Sequence, residues 1–523
     1  AAASMLPALR KVDDTRLFLL DSGTPGMSNP GSMTWDVQMD DYHLYPAYPL
    51  PWSGVAGFKG GFCSEGGIGS SWNPYASRRI RQRLGAANDE LCAPFVSGAI
   101  QWIEDVWKRY GLSDTYPDPA AMFVDSERLA AREREVWFNS IRSNPSVTGH
   151  SMTGLGETGC TCGGWGEGIL DAAHELKAGH LPVLQAGWAR LGWTVLVNPR
   201  HAYAGQPLRV KVGLFNEDQL TPGSYPARFT IAGPTGEVWR KEATVTVPGG
   251  EKAPLAFAVL DEDVKVEGLV EGRYTLAATL VGVTNVAGGR LEFTVTQKEK
   301  HADLSKTTLT VLGLDPRIKD LLTSRGATLR EFQAGQTFDR EAIVVGTAPD
   351  VATWRALYQH IARGAHAILL SSETRWFALP TSGKGSVTGG GTGWLYRQEI
   401  IARNHPIFRD MPAKVLMPDY YGPLLNGEYF NKIVVPDESV VIRLWCTMSF
   451  RGEQFGTDGV IVGTYRHHAG KFTVNAFNLG GNLGMPAADR MVLNMAAHAA
   501  ATAAPLQPLP EKHDEELDKL GIK

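Results

Sequence analysis

The sequence predicts a multidomain protein with three parts. Half of a (β/α)8 barrel comes first, then an immunoglobulin-like β-sandwich, then a flavodoxin-like α/β domain. Two observations carry this. The chain has 523 residues, too many for one core, and about three domains is the natural division. The hydrophobic pattern also changes period twice. Apolar runs separated by amphipathic helices extend over 1–192, strict two-residue alternation fills 193–298, and apolar runs with helices return over 299–505, before a tail at 506–523.

In the first segment, Leu17-Phe18-Leu19-Leu20-Asp21 is a compact buried-strand candidate. Asp36-Val37-Gln38-Met39 leads into Asp40-Asp41-Tyr42-His43, a third run ends at Glu65, and Ser146 to Met152 is a fourth. Helices are expected from Glu90 to Tyr110 and from Asp125 to Ser143. Apolar strands alternating with helices imply a parallel sheet covered by helices. Four such strands make half of an eight-stranded barrel, with exposed edges that need a cover.

The second segment alternates in Leu208 to Leu214, Ala227 to Ile231, Ala243 to Val247, Arg273 to Ala278 and Arg290 to Val295. Turn residues such as Gly233-Pro234-Thr235-Gly236 separate them. About seven alternating strands in about 100 residues is the pattern of an immunoglobulin-like sandwich. The charged stretch Gln297 to His301 reads as a linker. Beyond it, Thr308 to Leu312, Ile343 to Gly346, Ala367 to Leu370 and Lys471 to Phe477 are strands. Trp354 to Arg363 and Ala487 to Ala501 are helices, which suggests a flavodoxin-like sheet. The Pro-rich, then charged tail is expected to be poorly ordered or a peripheral helix.

Composition narrows the function classes. Hydrophobic residues make up 43% and charged residues 20%, and the net charge of -4 gives no argument for nucleic acid or an anionic membrane. No run of about 18 apolar residues suggests a membrane span. Five cysteines is an odd, low number. Cys160 and Cys162 are too close for an unstrained disulfide and lack the second pair of a zinc site, so no metal and no cofactor are expected. The 14 Trp and 15 Tyr stack well on sugar rings but also fill cores.

The stretch Gly61-Phe62-Cys63-Ser64-Glu65-Gly66-Gly67-Ile68-Gly69-Ser70 carries the most chemistry. An apolar run stops at a carboxylate and glycines come next, which is how a barrel strand delivers an acid to the mouth of an active site. The plainer reading of Glu65 is an exposed loop acid. Asp41, Tyr42, His43 and Tyr45 lie at the neighbouring strand end, where a Tyr or His would hold the acid ionised and others bind hydroxyls, with a polar loop and core aromatics as an equal alternative for each. Trp72 with Asn73, and Trp165, are candidate sugar platforms, with core packing an equal alternative.

These segments together resemble glycoside hydrolase family 2. Asp14-Thr15-Arg16-Leu17 is similar to the entry of the family's fifth barrel strand and Asp41 to Pro46 to the end of its sixth. Ser64-Glu65 matches the end of the seventh, Arg142-Ser143-Asn144-Pro145 the entry of the eighth, and Trp165 to Asp171 the segment just after the eighth. A sandwich comes next, where the family often places one. The resemblance covers roughly residues 10 to 298. It implies the C-terminal half of the barrel and a retaining exo-β-glycosidase acting on β-galactosides, β-mannosides or β-glucuronides. Glu65 would be the nucleophile, with a second carboxyl about 5 Å away as acid/base.

The chain departs from the family pattern in places. Gly66 stands where an aromatic usually succeeds the Ser-Glu pair, and Thr153 where a Trp usually lines the sugar site. The family's acid/base is the Glu of an Asn-Glu pair upstream of residue 14. The pair Asn216-Glu217 lies in the sandwich, and Glu157 and Asp171 match no motif. The chain therefore reads as a part beginning within the barrel. The expected partners are a carbohydrate and either a homo-oligomer or a partner chain supplying the missing barrel half. The rival reading is a non-catalytic carbohydrate-binding or assembly subunit. The third domain resembles class I glutamine-amidotransferase-like domains around Arg363-Gly364-Ala365-His366. Ser371-Ser372 come after its strand where a catalytic Cys would be needed, so a non-catalytic domain is expected.

Overall fold

The computed structural model describes residues 2–15, 40–44, 61–84, 93–156, 166, 168–348, 350–370, 378–379, 383–384, 386–389, 398–425, 427–431, 433–446 and 455–522. For 2–6, 40–44, 64, 93–94 and the short strands between 378 and 389 it describes the backbone. The expected strand Leu17 to Asp21, together with Tyr45, Glu157, Cys160, Cys162, Trp165 and Ser371-Ser372, lies outside the described residues.

The protein is mixed α/β with several sheets. After helix α1 (Ala2–Val12), strands β1 (Asp40–Leu44), β2 (Gly61–Gly66) and β3 (Val147–His150) form a three-stranded sheet in the order β1-β2-β3. Both pairings are parallel, as the apolar strand-helix alternation predicts. Helices α2 (Pro74–Leu84), α3 (Ala93–Tyr110) and α4 (Ala120–Arg142) connect β2 to β3. Helix α4 lays Ala130, Trp137, Phe138 and Ile141 into one apolar cluster with Cys63, Ile68 and Ile169.

Helix α5 (His180–Gly187) leads to nine strands: β4 (Leu191–Asn198), β5 (His201–Tyr203), β6 (Leu208–Asn216), β7 (Gly223–Gly233), β8 (Gly236–Val247), β9 (Ala256–Val264), β10 (Gly272–Leu280), β11 (Ala287–Gly288) and β12 (Arg290–Thr296). They make a five-stranded sheet, β5-β12-β10-β7-β8, and a four-stranded sheet, β11-β4-β6-β9. One apolar core lies between them, with Phe229, Ile231, Tyr274, Leu276 and Phe293 from the first sheet and Val195, Val210, Val212 and Leu214 from the second. Strand β10 buries alternate residues, the mark of a sheet with one face on the core.

The remaining chain builds an 11-stranded sheet. Its parallel part comprises β13 (Thr308–Leu312), β14 (Thr328–Glu331), β15 (Ala342–Val345), β16 (His366–Leu369) and a late strand (Gly470–Asn475), ordered β14-β13-β15-β16 and then the late strand. In chain order this is 2-1-3-4-5, a doubly wound arrangement. Helices α6 (Pro316–Ser324), α7 (Val351–Ala362) and α8 (Pro486–Thr502) accompany it. Asp315 and Asp350 cap α6 and α7 by accepting from Arg317 N and Thr353 N. An antiparallel part adds strands Glu399–Ala402, Glu438–Cys446 and Gly456–His467, among others. A last helix, α9 (His513–Lys519), packs on α7, where Arg355 pairs with Asp514 at 2.9 Å and Asp518 at 2.8 Å.

The three segments share surfaces. The largest apolar core joins Trp72, Ile103, Trp107 and Phe123 from the first segment to Leu309, Ile343, Ile401 and Leu444 from the last. Polar links reinforce it: Tyr110 donates to Asp458 at 2.7 Å, and Arg403 pairs with Asp114 at 2.7 Å. The sandwich is tied in by Arg490 to Glu271 at 2.6 Å and Tyr203 to Asp489 at 2.6 Å.

Candidate functional site

Strand β2 is the middle strand of the small sheet, and Glu65 is its penultimate residue, half-buried at the C-terminal end. Its register partner on β1 is His43, after an irregularity between Tyr42 and His43. The backbone thus sets Asp41, Tyr42 and His43 beside Phe62, Cys63 and Glu65. On the other side, Ser151 N donates to Cys63 O at 2.7 Å and Thr153 N to Gly66 O at 2.8 Å, so the chain after β3 continues along β2 past Glu65.

Gly66 stands where the resemblance expects an aromatic, and the packing supplies the reason. A Cβ there would lie 2.2 Å from Trp137 Cζ2. Trp137 of α4 is fully buried, and its indole occupies the space a side chain would need.

Residues 67–73, the loop between β2 and α2, are all buried, which is unusual for a loop, because its backbone polar groups need partners. Distant side chains supply them. Arg134 Nη2 donates to Ile68 O at 2.8 Å. Burial pulls this guanidinium down to about 10, partly offset by Glu133. Lys177, 3% exposed, donates to Ser70 Oγ at 3.1 Å and to Gly166 O at 2.9 Å. Ser70 N also donates to Gly166 O at 2.9 Å, and a Cβ on Gly166 would meet Ser70 O at 2.0 Å. Gly166, within the stretch singled out from the sequence, is therefore brought to the exit loop of Glu65.

Ser71 extends the frame to the last segment. Its N–H donates to Ser126 Oγ at 2.8 Å and its hydroxyl to Glu399 Oε1 at 3.2 Å, while Ser126 also donates to Glu399. Glu399 is 1% exposed. No sequence signal marks Arg134, Lys177 or Glu399, since each lies far along the chain from the loop it supports.

Trp72 is 1% exposed and packs its ring on Phe95 at 5.5 Å, so in this structure it offers no face to a sugar. Asn73 accepts from the N–H groups of Tyr75 and Ala76 at 3.1 and 3.2 Å, with Pro74 opening α2. That is an N-cap with proline at the first helical position. Asp171 is also occupied: Oδ1 accepts from Ala173 N and Glu175 N, and Oδ2 pairs with Arg79 at 3.1 Å. Glu217 pairs with Arg142 at 2.8 Å. On β3, burial beside Arg142 lowers the His150 imidazole to about 4, so it is neutral at pH 7.

No protein-family model matches the chain, and no curated protein does. Among solved structures, an exo-β-1,4-mannosidase from Opitutaceae bacterium strain TAV5 is similar over 39% of this chain and 37% of its own, at 13% identity and a TM-score of 0.23. A glycosyl hydrolase family 2 member from Bacteroides cellulosilyticus is similar over 32% of this chain and 25% of its own, at 17% identity and a TM-score of 0.16. An alkylpurine DNA glycosylase from Pseudomonas fluorescens is similar over 22% of this chain and 33% of its own, at 15% identity and a TM-score of 0.16. The chain thus spans between a quarter and 37% of the length of these structures. Glycoside hydrolases are among its partial neighbours, and at these TM-scores the likeness assigns neither family nor activity.

Proposed function

We propose that the chain is part of a retaining exo-β-glycosidase in which Glu65 is the nucleophile. In this reading residues 1–192 are the C-terminal half of a (β/α)8 barrel, 193–298 an immunoglobulin-like sandwich, and 299–505 a flavodoxin-like domain without catalysis of its own. The observation that supports it is the place of Glu65: a half-buried carboxylate at the C-terminal end of the central strand of a parallel sheet, with His43 in register beside it. The rigid frame after Glu65 would hold the carboxylate in line with an anomeric carbon. Attack of a Glu65 oxygen on that carbon forms the glycosyl ester as the bond to the leaving oxygen breaks, and water later returns the free carboxylate. Asp41, Tyr42, His43 and Tyr45 would orient the sugar. β-Galactosides, β-mannosides and β-glucuronides are the substrates to test.

A leaving group that departs without protonation tests Glu65 without needing the acid/base. The chain is incubated with 2-deoxy-2-fluoro glycosides of dinitrophenol in each sugar series, then digested and mapped by mass. Labelling at Glu65, absent from Glu65→Gln, is the expected result. A label on another carboxylate overturns the assignment.

The rival is a non-catalytic carbohydrate-binding or assembly subunit. It draws on Asp171 and Glu217, whose carboxylates are engaged in a turn and in ion pairs. Saturable sugar binding with no labelling in any series would favour it.

A further inference from the structure

We propose that His467, His468 and His513 form a binding site for one divalent transition-metal ion of the zinc class, which clips the C-terminal helix to the last sheet. His467 ends strand Gly456–His467, His468 sits in the adjoining turn with φ +51°, and His513 opens α9. Their ligand atoms all lie within 4.8 Å of one another. The Nε2 atoms of His467 and His513 are 2.8 Å apart. Nitrogens sharing a tetrahedral zinc ion stand about 3.3 Å apart, so a small opening of the pair would admit the ion.

His513 is fully buried, and its Nδ1 has no hydrogen-bond partner among the described residues. If Nε2 carries the proton toward His467, a lone pair stays buried at Nδ1. If Nδ1 carries it, a buried donor is left unmade. Ligation through Nε2 requires this second tautomer and leaves Nδ1–H unpaired, so the bond to the ion has to outweigh that donor. His468 is exposed and gives the ion a route in, and its Nε2 lies 2.7 Å from Glu516 Oε2. Glu516 would serve as the carboxylate that orients a metal-bound histidine, or as a fourth ligand.

A second group, His405, Glu438 and His498, has similar spacing but the wrong tautomer. His405 Nδ1 accepts from Ile407 N at 3.2 Å, which leaves the proton on Nε2, and Nε2 reaches Glu438 at 3.0 Å. That histidine is a donor to a carboxylate, not a ligand.

The test uses the full chain, stripped with a chelator and titrated with Zn²⁺ against a chromophoric competitor. One Zn²⁺ per chain is expected. Exposed His468→Ala should weaken it about 100-fold and Glu516→Gln about tenfold. Hydrogen exchange in α9 should slow when Zn²⁺ is added. Arg355 holds the helix independently, so His468→Ala should keep its metal-free exchange pattern. Failure of the wild-type chain to retain Zn²⁺ overturns the proposal. Retention that His468→Ala and His513→Ala leave unchanged overturns it as well.

Discussion

Strands β2 and β13 both lie inside parallel sheets and both hand over to glycine, yet the two strand ends are built differently. After β2 the chain is held by side chains reaching in from elsewhere: Trp137 under Gly66, Arg134 on Ile68, Lys177 on Ser70, and Ser126 with Glu399 on Ser71. After β13 the backbones themselves meet. A Cβ on Gly313 would lie 2.1 Å from Thr347 O, and one on Gly346 would lie 2.3 Å from Gly313 O. The point between β13 and β15 is where a 2-1-3-4-5 sheet usually receives a ligand. Here the two exits are hydrogen-bonded to each other, Thr347 N to Gly313 O at 3.1 Å, and the nearby Asp315 and Asp350 are spent on helix caps. One strand end presents a carboxylate on a fixed frame, and the other closes on itself.

The sharpest break of that contrast is chemical. Glu65→Gln should lower any glycosidase turnover at least about a thousandfold while leaving the thermal midpoint nearly unchanged. A variant that keeps more than a tenth of the activity would remove the difference between the two ends.

Packing separates them next. Gly313→Ala should cost about 3 kcal/mol, because the residue has φ +56° and the methyl would meet a carbonyl that cannot turn away. Gly66→Ala should cost about 1–3 kcal/mol, and Trp137→Phe in the same chain should return part of it, since there the obstacle is a side chain. Equal rescue of both by side-chain trimming would erase the distinction, as read from urea midpoints.

Titration gives a smaller, distributed effect. Burial lowers His150, His201, His301 and His498 to about 4, and His180 and His467 to about 3. In the unfolded chain these groups take up protons near pH 6.5. The unfolded state therefore binds more protons between about pH 6.5 and 4, and the urea midpoint should fall as pH is lowered through that window. A flat profile there would contradict the buried, neutral state of these rings. The smallest effect expected is Asn73→Ala, about 1 kcal/mol from the lost cap on α2, with Asn73→Ser restoring part of it, whereas Asn73→Asp would face the buried Glu127 carboxylate.

Much of the framework was legible in the sequence. Thr308–Leu312 is a strand with the bounds its apolar run gives, α3 ends at the expected Tyr110, and α4 begins at Ala120, ahead of the expected Asp125. The Asn73-Pro74 pair also carried a visible signal, because a capping residue before proline announces a helix start, and in this structure the cap is what it serves. The antiparallel half of the large sheet was harder to read. Strand Glu438–Cys446 is buried on both faces, so it shows no alternation to distinguish it from other apolar runs. The frame behind Glu65 left no local trace at all. Glu399 meets Ser71 across 328 positions of chain, and only folding brings them together.

That buried carboxylate has a consequence for how the molecule comes apart. Glu399 ties the exit loop of β2 to the last segment, and one apolar core runs through both. Cutting the chain near Lys298 would leave Ser71 and Ser126 without their acceptor and would expose Trp72 and Phe123 to water. The strand end carrying Glu65 therefore melts with the C-terminal sheet, as a single cooperative event.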